Sequence, residues 1–302
     1  MNGDQMTGQD QSTAASDQDP GKIGIIAGTG RLPMLLVRAL EAEDQPYLLA
    51  EMEGFPVAAE GRTVQRFQVE RLALFMDRLH DLGVTQIVFA GAVRRPRLDP
   101  ERFDPLTATM VPRLLRAMQS GDDATLREVI AIFEEDGFAV VGADQIAPDL
   151  VPAPEVLGRV QPLDQDAADV ARAAQIVAAL GAVDVGQGAV VAQGLCLAVE
   201  TIGGTDAMLA EAGRQLGQMP DPRPDPNGAR GVCFKAAKPG QDRRIDLPAL
   251  GPQTLREVAV AGLGGLAFRA GSVMLLDRAE MIALADDLGL FLWSWSDALS
   301  PE

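Results

Sequence analysis

The sequence predicts an α/β protein with two domains: an N-terminal Rossmann-like domain with a parallel sheet, and a C-terminal α/β domain with a mixed sheet. Apolar runs of strand length alternate with amphipathic helical stretches from residue 22 onward. A proline-rich stretch without periodicity interrupts them near residue 150. The length of 302 residues fits two domains. We therefore expect a disordered polar tail over 1–20, the first domain over 21–150 and the second over 151–302.

The first half begins with the apolar strand KIGIIA, which leads through a glycine-containing turn into a helix. The apolar residues of this helix repeat at the spacing of one helical face, and they are Leu32, Leu35, Leu36, Ala39 and Leu40. Further strands are predicted at YLLAEM, QIVFAG and FAVVGA, with helices between them that contain His80 and Phe133. Strands that alternate with helices of this length predict a parallel sheet covered by helices on both faces.

The turn after the first strand has two interpretations. Small residues let a phosphate or sugar approach the backbone, and the N-terminus of the following helix favours negative charge. The substrate contacts predicted there are Gly28, Thr29, Gly30 and Arg31. The alternative is a tight turn with only a structural role. A dinucleotide site is not favoured, although Glu51 falls where a ribose-binding acid is expected, because Pro33 replaces the third glycine of that motif.

The second half begins with a long amphipathic helix from Asp164 to Leu180, followed by two short strands around a Gln-Gly turn. Thr205 and Asp206 come before the helix MLAEAGRQL, and residues of these types commonly cap helices. They would contact a ligand only if the fold brought them to the charged segment described next. PDPRPDPNG is predicted as a surface loop, and GLAFRA and SVMLLD as strands of the second sheet.

The segment KAAKPGQDRRIDLP, which starts at Lys235, reverses the local sign of charge in a chain with 43 acidic and 26 basic residues. Its cations are suited to phosphate oxygens, and its carboxylates are hard ligands suited to Mg²⁺. These residues are Lys235, Lys238, Arg243, Arg244, Asp242 and Asp246. The alternative is a solvated, charged surface loop. A site for phosphate and metal is the sharper of the two hypotheses.

Composition excludes several classes of function. The net charge of −17 opposes binding to nucleic acid, so no such partner is expected. His80 is the only histidine, which excludes multi-histidine metal centres. A Ser-His-Asp triad would have to use this one residue, so hydrolysis by carboxylates and Mg²⁺ is favoured. Cys196 and Cys233 both lie in apolar runs and are predicted to be buried thiols of a reducing cytoplasm. Neither a membrane-spanning run nor a signal peptide is recognisable, so a cytoplasmic location is expected.

Five motifs together resemble one known family. KIGIIAGTGRLP, GAVRRPRL, DVGQGAVVA, GGTDAML and KPGQDRRIDLPALGPQT occur in this order within residues 22 to 292. This combination resembles the UDP-2,3-diacylglucosamine pyrophosphatases of the LpxI type. The resemblance implies Mg²⁺-dependent hydrolysis of a lipid-linked UDP-sugar to UMP and 2,3-diacylglucosamine 1-phosphate, a step of lipid A biosynthesis. It also implies two domains with the substrate held between them.

The resemblance assigns roles to individual residues. Asp242 is the implied essential acid, with Arg243 beside it in catalysis, and Asp206 and Asp246 are further implied metal ligands. The implied substrate contacts in or beside the second-half motifs are Thr205, Lys235, Lys238, Gln241 and Arg244. The family has Glu before Gly204 where this chain has Gly203, and Glu200 is a candidate replacement.

The expected partners are the lipid substrate, the inner-membrane surface in transient contact, and a second copy in a homodimer. The remaining alternative is a non-catalytic nucleotide-sugar or lipid-binding protein in which Asp242 only orders the basic loop.

Overall fold

The computed structural model of the chain describes residues 21–93, 97–218 and 230–297. The predicted disordered tail and the predicted surface loop PDPRPDPNG lie outside these residues, as does part of the GAVRRPRL motif. Within them, the chain forms two larger sheets and one small two-stranded sheet, with helices packed on the larger sheets. The predicted α/β fold class is confirmed.

The first sheet is entirely parallel, and its strands occur in the order β3-β2-β1-β4-β5. The strands are β1 (Lys22–Ala27), β2 (Tyr47–Met52), β3 (Val64–Phe67), β4 (Val84–Ala90) and β5 (Ala139–Val140). Strand β3 was not predicted, since it is short and half polar. The order reverses between β1 and β4, which is the position where ligands bind in open parallel sheets.

Helices cover both faces of this sheet, as predicted. They are α1 (Leu32–Ala42), α2 (Leu72–Asp81), α3 (Pro105–Ser120), α4 (Asp122–Glu135) and α5 (Ala143–Ile146). Ile25 packs in a cluster with residues of α1, whereas its neighbour Ile26 packs in a second cluster with residues of α2 and α4. Helix α3 was missed because it lacks a buried apolar stripe, and Thr107 is its only fully buried residue.

The second larger sheet is mixed and has the strand order β6-β13-β11-β9-β7-β8. Its strands are β6 (Glu155–Leu157), β7 (Gly188–Ala192), β8 (Leu195–Val199), β9 (Val232–Lys235), β11 (Gly265–Arg269) and β13 (Phe291–Trp295). Strands β9, β11 and β13 are parallel, and the others join antiparallel. Strands β10 (Ala249–Leu250) and β12 (Met274–Leu275) pair separately. The prediction that SVMLLD joins the second sheet was therefore wrong.

One long helix covers one face of the mixed sheet, and three helices cover the other. They are α6 (Asp164–Ala182), α7 (Gly204–Gln218), α8 (Pro252–Val260) and α9 (Arg278–Leu288). Val191 packs in the cluster that contains residues of α6, and Val190 packs with residues of α7, α8 and α9. Among the described residues, no helix has the length and apolar character needed to cross a membrane.

The two halves pack against each other through the charged segment. Its residues 236–248 connect β9 to β10. Leu247 and Met274 belong to the buried cluster that contains Leu36 of α1, and Ile245 packs on the opposite cluster with Phe133 of α4. A segment predicted from its charge therefore also supplies apolar contacts to the first half.

The two cysteines differ in exposure, which contradicts part of the prediction. Cys233 lies in the sheet interior, and burial raises the pKa of its thiol to about 12. Cys196 is exposed because β8 is the edge strand of the mixed sheet. His80 stacks on Phe138 with 4.2 Å between ring centroids, and its Nε2 lies 2.9 Å from Asp136 Oδ2. This arrangement agrees with a structural histidine.

Candidate active site

The turns that follow β1 and β4 are bonded to each other. The Thr29 and Ala92 backbones each donate to the other across 2.9 Å. Close contact requires glycine on both sides, since a Cβ at Gly28 would lie 2.5 Å from the Ala92 carbonyl oxygen and one at Gly91 would lie 2.5 Å from that of Thr29. The backbones of these two turns are therefore hydrogen-bonded to each other between β1 and β4, where the strand order reverses. Packing alone explains the glycine at position 28, and its predicted substrate contact stays a prediction.

The next two residues face away from this contact. Gly30 has a φ of +101°, and a Cβ built there would meet nothing within 4 Å. Arg31 reaches the second half, with Nε 2.8 Å from Asp277 Oδ2 and Nη1 3.2 Å from Glu280 Oε2. The predicted substrate residue Arg31 therefore forms an ionic contact between the halves, at the N-terminus of α9.

Two buried charged residues, Lys235 and Glu200, form a polar cluster with the partly buried Thr205 at the end of β9. The Lys235 ammonium donates to Thr205 Oγ1 at 2.7 Å and lies 3.4 Å from Glu200 Oε1. Thr205 in turn donates to Glu200 Oε1 at 2.9 Å. Helix α7 begins at Gly204, so Thr205 and Asp206 lie in its first turn and do not precede it as predicted. Burial, the Glu200 carboxylate and the Thr205 hydroxyl together hold the Lys235 side chain in place.

The first part of the charged segment is held by contacts on both sides. Lys238 Nζ lies 2.7 Å from Asp184 Oδ1, after α6. The Gly240 carbonyl accepts from Arg127 of α4 at 2.9 Å. Gln241 Oε1 accepts from the Lys238 backbone at 3.0 Å, and its amide nitrogen donates to Asp246. Gln241 thus stabilises the turn, and Asp246 has an amide partner inside the same segment.

Asp242 forms a bidentate ion pair with Arg244. Its carboxylate accepts from the Arg244 backbone at 3.0 Å, from Nε at 3.0 Å and from Nη2 at 2.7 Å. These hydrogen bonds hold the pKa of Asp242 below its ordinary value, so the carboxylate is ionised at neutral pH. The remaining nitrogen of Arg244, Nη1, contacts Glu134 Oε1 of α4 at 2.6 Å. Asp242 is therefore linked through one guanidinium to the first half.

Arg243 is the most exposed of the four cations, with 53% of its side chain accessible. It donates to the Gly271 carbonyl, and its Nη2 lies 3.8 Å from Asp144 Oδ2. A long, distant ion pair on an exposed side chain contributes little to stability. Arg243 can therefore exchange these contacts for a ligand oxygen at small cost.

The three predicted metal ligands do not converge. Asp242 is paired with Arg244, Asp246 with Gln241, and Asp206 with Glu257. Burial and the contact with Asp206 both raise the pKa of Glu257. In residues 21–93, 97–218 and 230–297, no three Asp, Glu, His or Cys side chains group together as a metal site. Among the described residues, these three carboxylates thus do not form a three-ligand site by themselves, and their role as magnesium ligands stays a prediction.

Several residues at the junction of the halves were not predicted. Arg127, Glu134 and Asp144 contact the charged segment from the first half, and Asp277 and Glu280 contact the turn after β1 from the second. Each is a charged residue in or beside a helix and is indistinguishable in sequence from a solvated surface charge. Nothing in the local pattern could have identified them, because their partners lie far away in the chain.

Comparison with known proteins agrees with the predicted resemblance. Residues 22–150 match the LpxI N-terminal domain, and residues 153–293 match the LpxI C-terminal domain. The chain is also 36% identical over 273 residues to the UDP-2,3-diacylglucosamine pyrophosphatase LpxI of Caulobacter vibrioides, an alignment that covers 90% of this chain and 96% of that protein. The predicted family is confirmed, and the relative's name agrees with the predicted enzyme class. Both halves of the molecule thus place this chain in the LpxI family.

Proposed function

We propose that this protein hydrolyses the pyrophosphate bond of UDP-2,3-diacylglucosamine to UMP and 2,3-diacylglucosamine 1-phosphate, a step of lipid A biosynthesis. The observation that carries this proposal is the charged segment, which joins the halves of a chain similar along nearly its whole length to a named pyrophosphatase. Cations at such a junction suit a doubly charged pyrophosphate, and domain junctions commonly hold small ligands.

The cations of the segment have distinct proposed tasks. Arg243 is exposed and weakly engaged, so it is the proposed direct ligand of the phosphate oxygens whose charge grows during bond cleavage. Lys238 and Arg244 each have a carboxylate partner. These paired side chains would hold the segment in shape. Lys235, buried against Glu200, would act at the base of the site.

Asp242 is the proposed catalytic carboxylate. Its lowered pKa makes it a weak proton acceptor at neutral pH, so deprotonating water is not its best use. An ionised carboxylate with fixed orientation can instead accept a hydrogen bond from the attacking water and orient it toward phosphorus. The bidentate ion pair with Arg244 fixes the orientation of the Asp242 carboxylate.

The substrate is proposed to lie between the halves, against the open side of Gly30. In this placement, Thr29 and Arg31 would contact its polar part beside the charged segment. Arg31 would first have to release Asp277 or Glu280. Its guanidinium is largely exposed, so either ion pair can be broken at small cost.

Magnesium dependence is proposed on the family resemblance alone. Bound magnesium would neutralise pyrophosphate charge. No step is assigned through it, because Asp206, Asp242 and Asp246 have separate partners in the described residues. Turnover measured with added MgCl₂ and after chelation would decide the dependence directly.

One observation favours a second candidate. Both oxygens of Asp242 are occupied by Arg244, as expected if the carboxylate only orders a basic loop in a nucleotide-sugar or lipid-binding protein without activity. The two candidates differ in what happens to the ligand. A binding protein returns it intact, whereas a hydrolase returns its products.

The deciding experiment incubates the purified protein with UDP-2,3-diacylglucosamine in detergent micelles and measures UMP by chromatography. Catalytic release of UMP together with 2,3-diacylglucosamine 1-phosphate is expected. UDP-glucosamine without acyl chains is the matched control and should be a poor substrate. Stoichiometric retention of intact lipid with no UMP would establish the binding protein and exclude the proposed hydrolysis. The predicted homodimer and cytoplasmic location stay predictions.

A further inference from the structure

Three apolar side chains are exposed on two adjacent loops of the second half, and we name Val183, Val185 and Ile202 the apolar rim. Ile202 is fully exposed, at 106% of its reference area, and Val183 and Val185 are 69% and 44% exposed. Val183 and Val185 follow α6, and Ile202 lies in the turn between β8 and α7. Exposed aliphatic side chains on neighbouring loops can be covered together by another apolar surface.

The two loops hold these side chains outward. The Val185 backbone donates to the Leu180 carbonyl at 3.0 Å, and the Gly204 backbone donates to the Thr201 carbonyl at 2.9 Å. The loops also touch, since a Cβ at Gly186 would lie 1.9 Å from the Glu200 carbonyl oxygen. The backbone of both loops that carry the rim is therefore held by hydrogen bonds and by contact between the loops.

The apolar rim borders the candidate active site. Ile202 lies in the chain between Glu200 and Thr205, the two residues that hold the Lys235 ammonium. On the other loop, Asp184 lies between the two valines and pairs with Lys238 of the charged segment at 2.7 Å. This pairing neutralises the charge of the carboxylate between the two valines, which lowers the cost of bringing this loop against an apolar phase.

We propose that the apolar rim is the surface by which the protein contacts a lipid bilayer. The proposal rests on the proposed function, in which the substrate is an amphiphile whose acyl chains lie in a membrane. A rim beside the site would bring the junction of the halves to the depth of the lipid head groups. The net charge of −17 opposes attraction to anionic lipids, so insertion of apolar side chains must supply the affinity.

The test compares the double variant Val183→Asp/Ile202→Asp with Val260→Asp. Val260 is 88% exposed at the end of α8 and lies outside the rim, so it is a matched control for adding a carboxylate to an exposed apolar site. Each protein is floated with vesicles of phosphatidylethanolamine and phosphatidylcholine. The wild type and the control should float, and vesicle partitioning of the double variant should fall by about tenfold or more. Thermal unfolding should remain unchanged, since the altered side chains are largely exposed.

Other outcomes overturn the proposal. A wild type that does not float, or a double variant that floats like the control, excludes the rim as a bilayer contact. Hydrolysis in detergent micelles, where no bilayer is present, distinguishes contact with the bilayer from contact with the acyl chains of the substrate. If the double variant loses turnover there, the rim binds the acyl chains of the substrate instead of the bilayer. A wild type that floats but releases no UMP would refute the proposed function and leave the membrane contact intact.

Discussion

Replacing Asp242 by Asn tests whether this carboxylate takes part in chemistry or only orders the charged segment. Asn keeps the size of the side chain but removes its charge, and one of its two terminal atoms no longer accepts hydrogen bonds. The wild-type carboxylate accepts from Arg244 at 3.0, 3.0 and 2.7 Å. Because Arg244 is partly exposed and keeps its contact with Glu134, we expect the free energy of unfolding to fall by only about 1 kcal/mol.

The expected loss of activity is much larger. A carboxylate that orients the attacking water acts mainly in the transition state, so its removal should lower kcat by about a thousandfold, or about 4 kcal/mol of barrier. The assay is UMP release from UDP-2,3-diacylglucosamine, with extraction of bound lipid from the same samples. The variant should retain intact substrate, since the contacts outside the carboxylate remain.

Glu134→Gln is the matched control. It weakens the other carboxylate contact of Arg244, 2.6 Å long, and leaves Asp242 unchanged. We expect a similar loss of stability, with kcat within about tenfold of the wild type. Equal losses of activity in the two variants would show that Asp242 acts only by ordering Arg244. A folded Asp242→Asn protein with wild-type turnover would refute the catalytic role.

The remaining predictions concern stability and reactivity. Since the folded pKa of Asp242 is lowered, its contribution to stability is present above its ordinary value of 3.8 and is lost as pH falls through the folded value; urea unfolding of wild type and Asp242→Asn should therefore differ at pH 7 and converge in acid. Gly28→Ala should lower the melting temperature more than Gly30→Ala, because its Cβ meets backbone at 2.5 Å whereas Gly30 has only its positive φ to disfavour alanine; an equal loss would contradict the packing explanation. Ellman's reagent should modify Cys196 in the native protein and Cys233 only after unfolding, and rapid native reaction of both thiols would refute the buried position of Cys233.

Much of the fold could be predicted because local periodicity reports burial directly. Residues 47–52 were predicted as a strand and form β2 with the same limits. Of the apolar face predicted for α1, Leu32, Leu36 and Leu40 are buried, and Leu35 and Ala39 are partly buried. Prediction failed for elements that bury few side chains or that pair outside the main sheets. Helix α3 has one fully buried residue, and β12 pairs outside the main sheet.

The candidate site divides in the same way. The charged segment was identifiable because it reverses the sign of charge in an acidic chain, a property of composition that needs no neighbours. The pairing within the site was not identifiable. The partners Glu134 and Arg127 lie on α4, more than a hundred residues before the segment, and only packing of the halves brings them together.

The sequence by itself determined the fold class, the family motifs and the segment where charge collects, since these depend on residue type and short-range spacing. Only the tertiary structure decided that Gly28 is required by backbone contact, that Lys235 is buried against Glu200, and that the predicted metal ligands lie with separate partners. The physical reason is that hydrogen bonds and ion pairs act over a few ångströms, and the distances between these groups are set by how the sheets and helices pack.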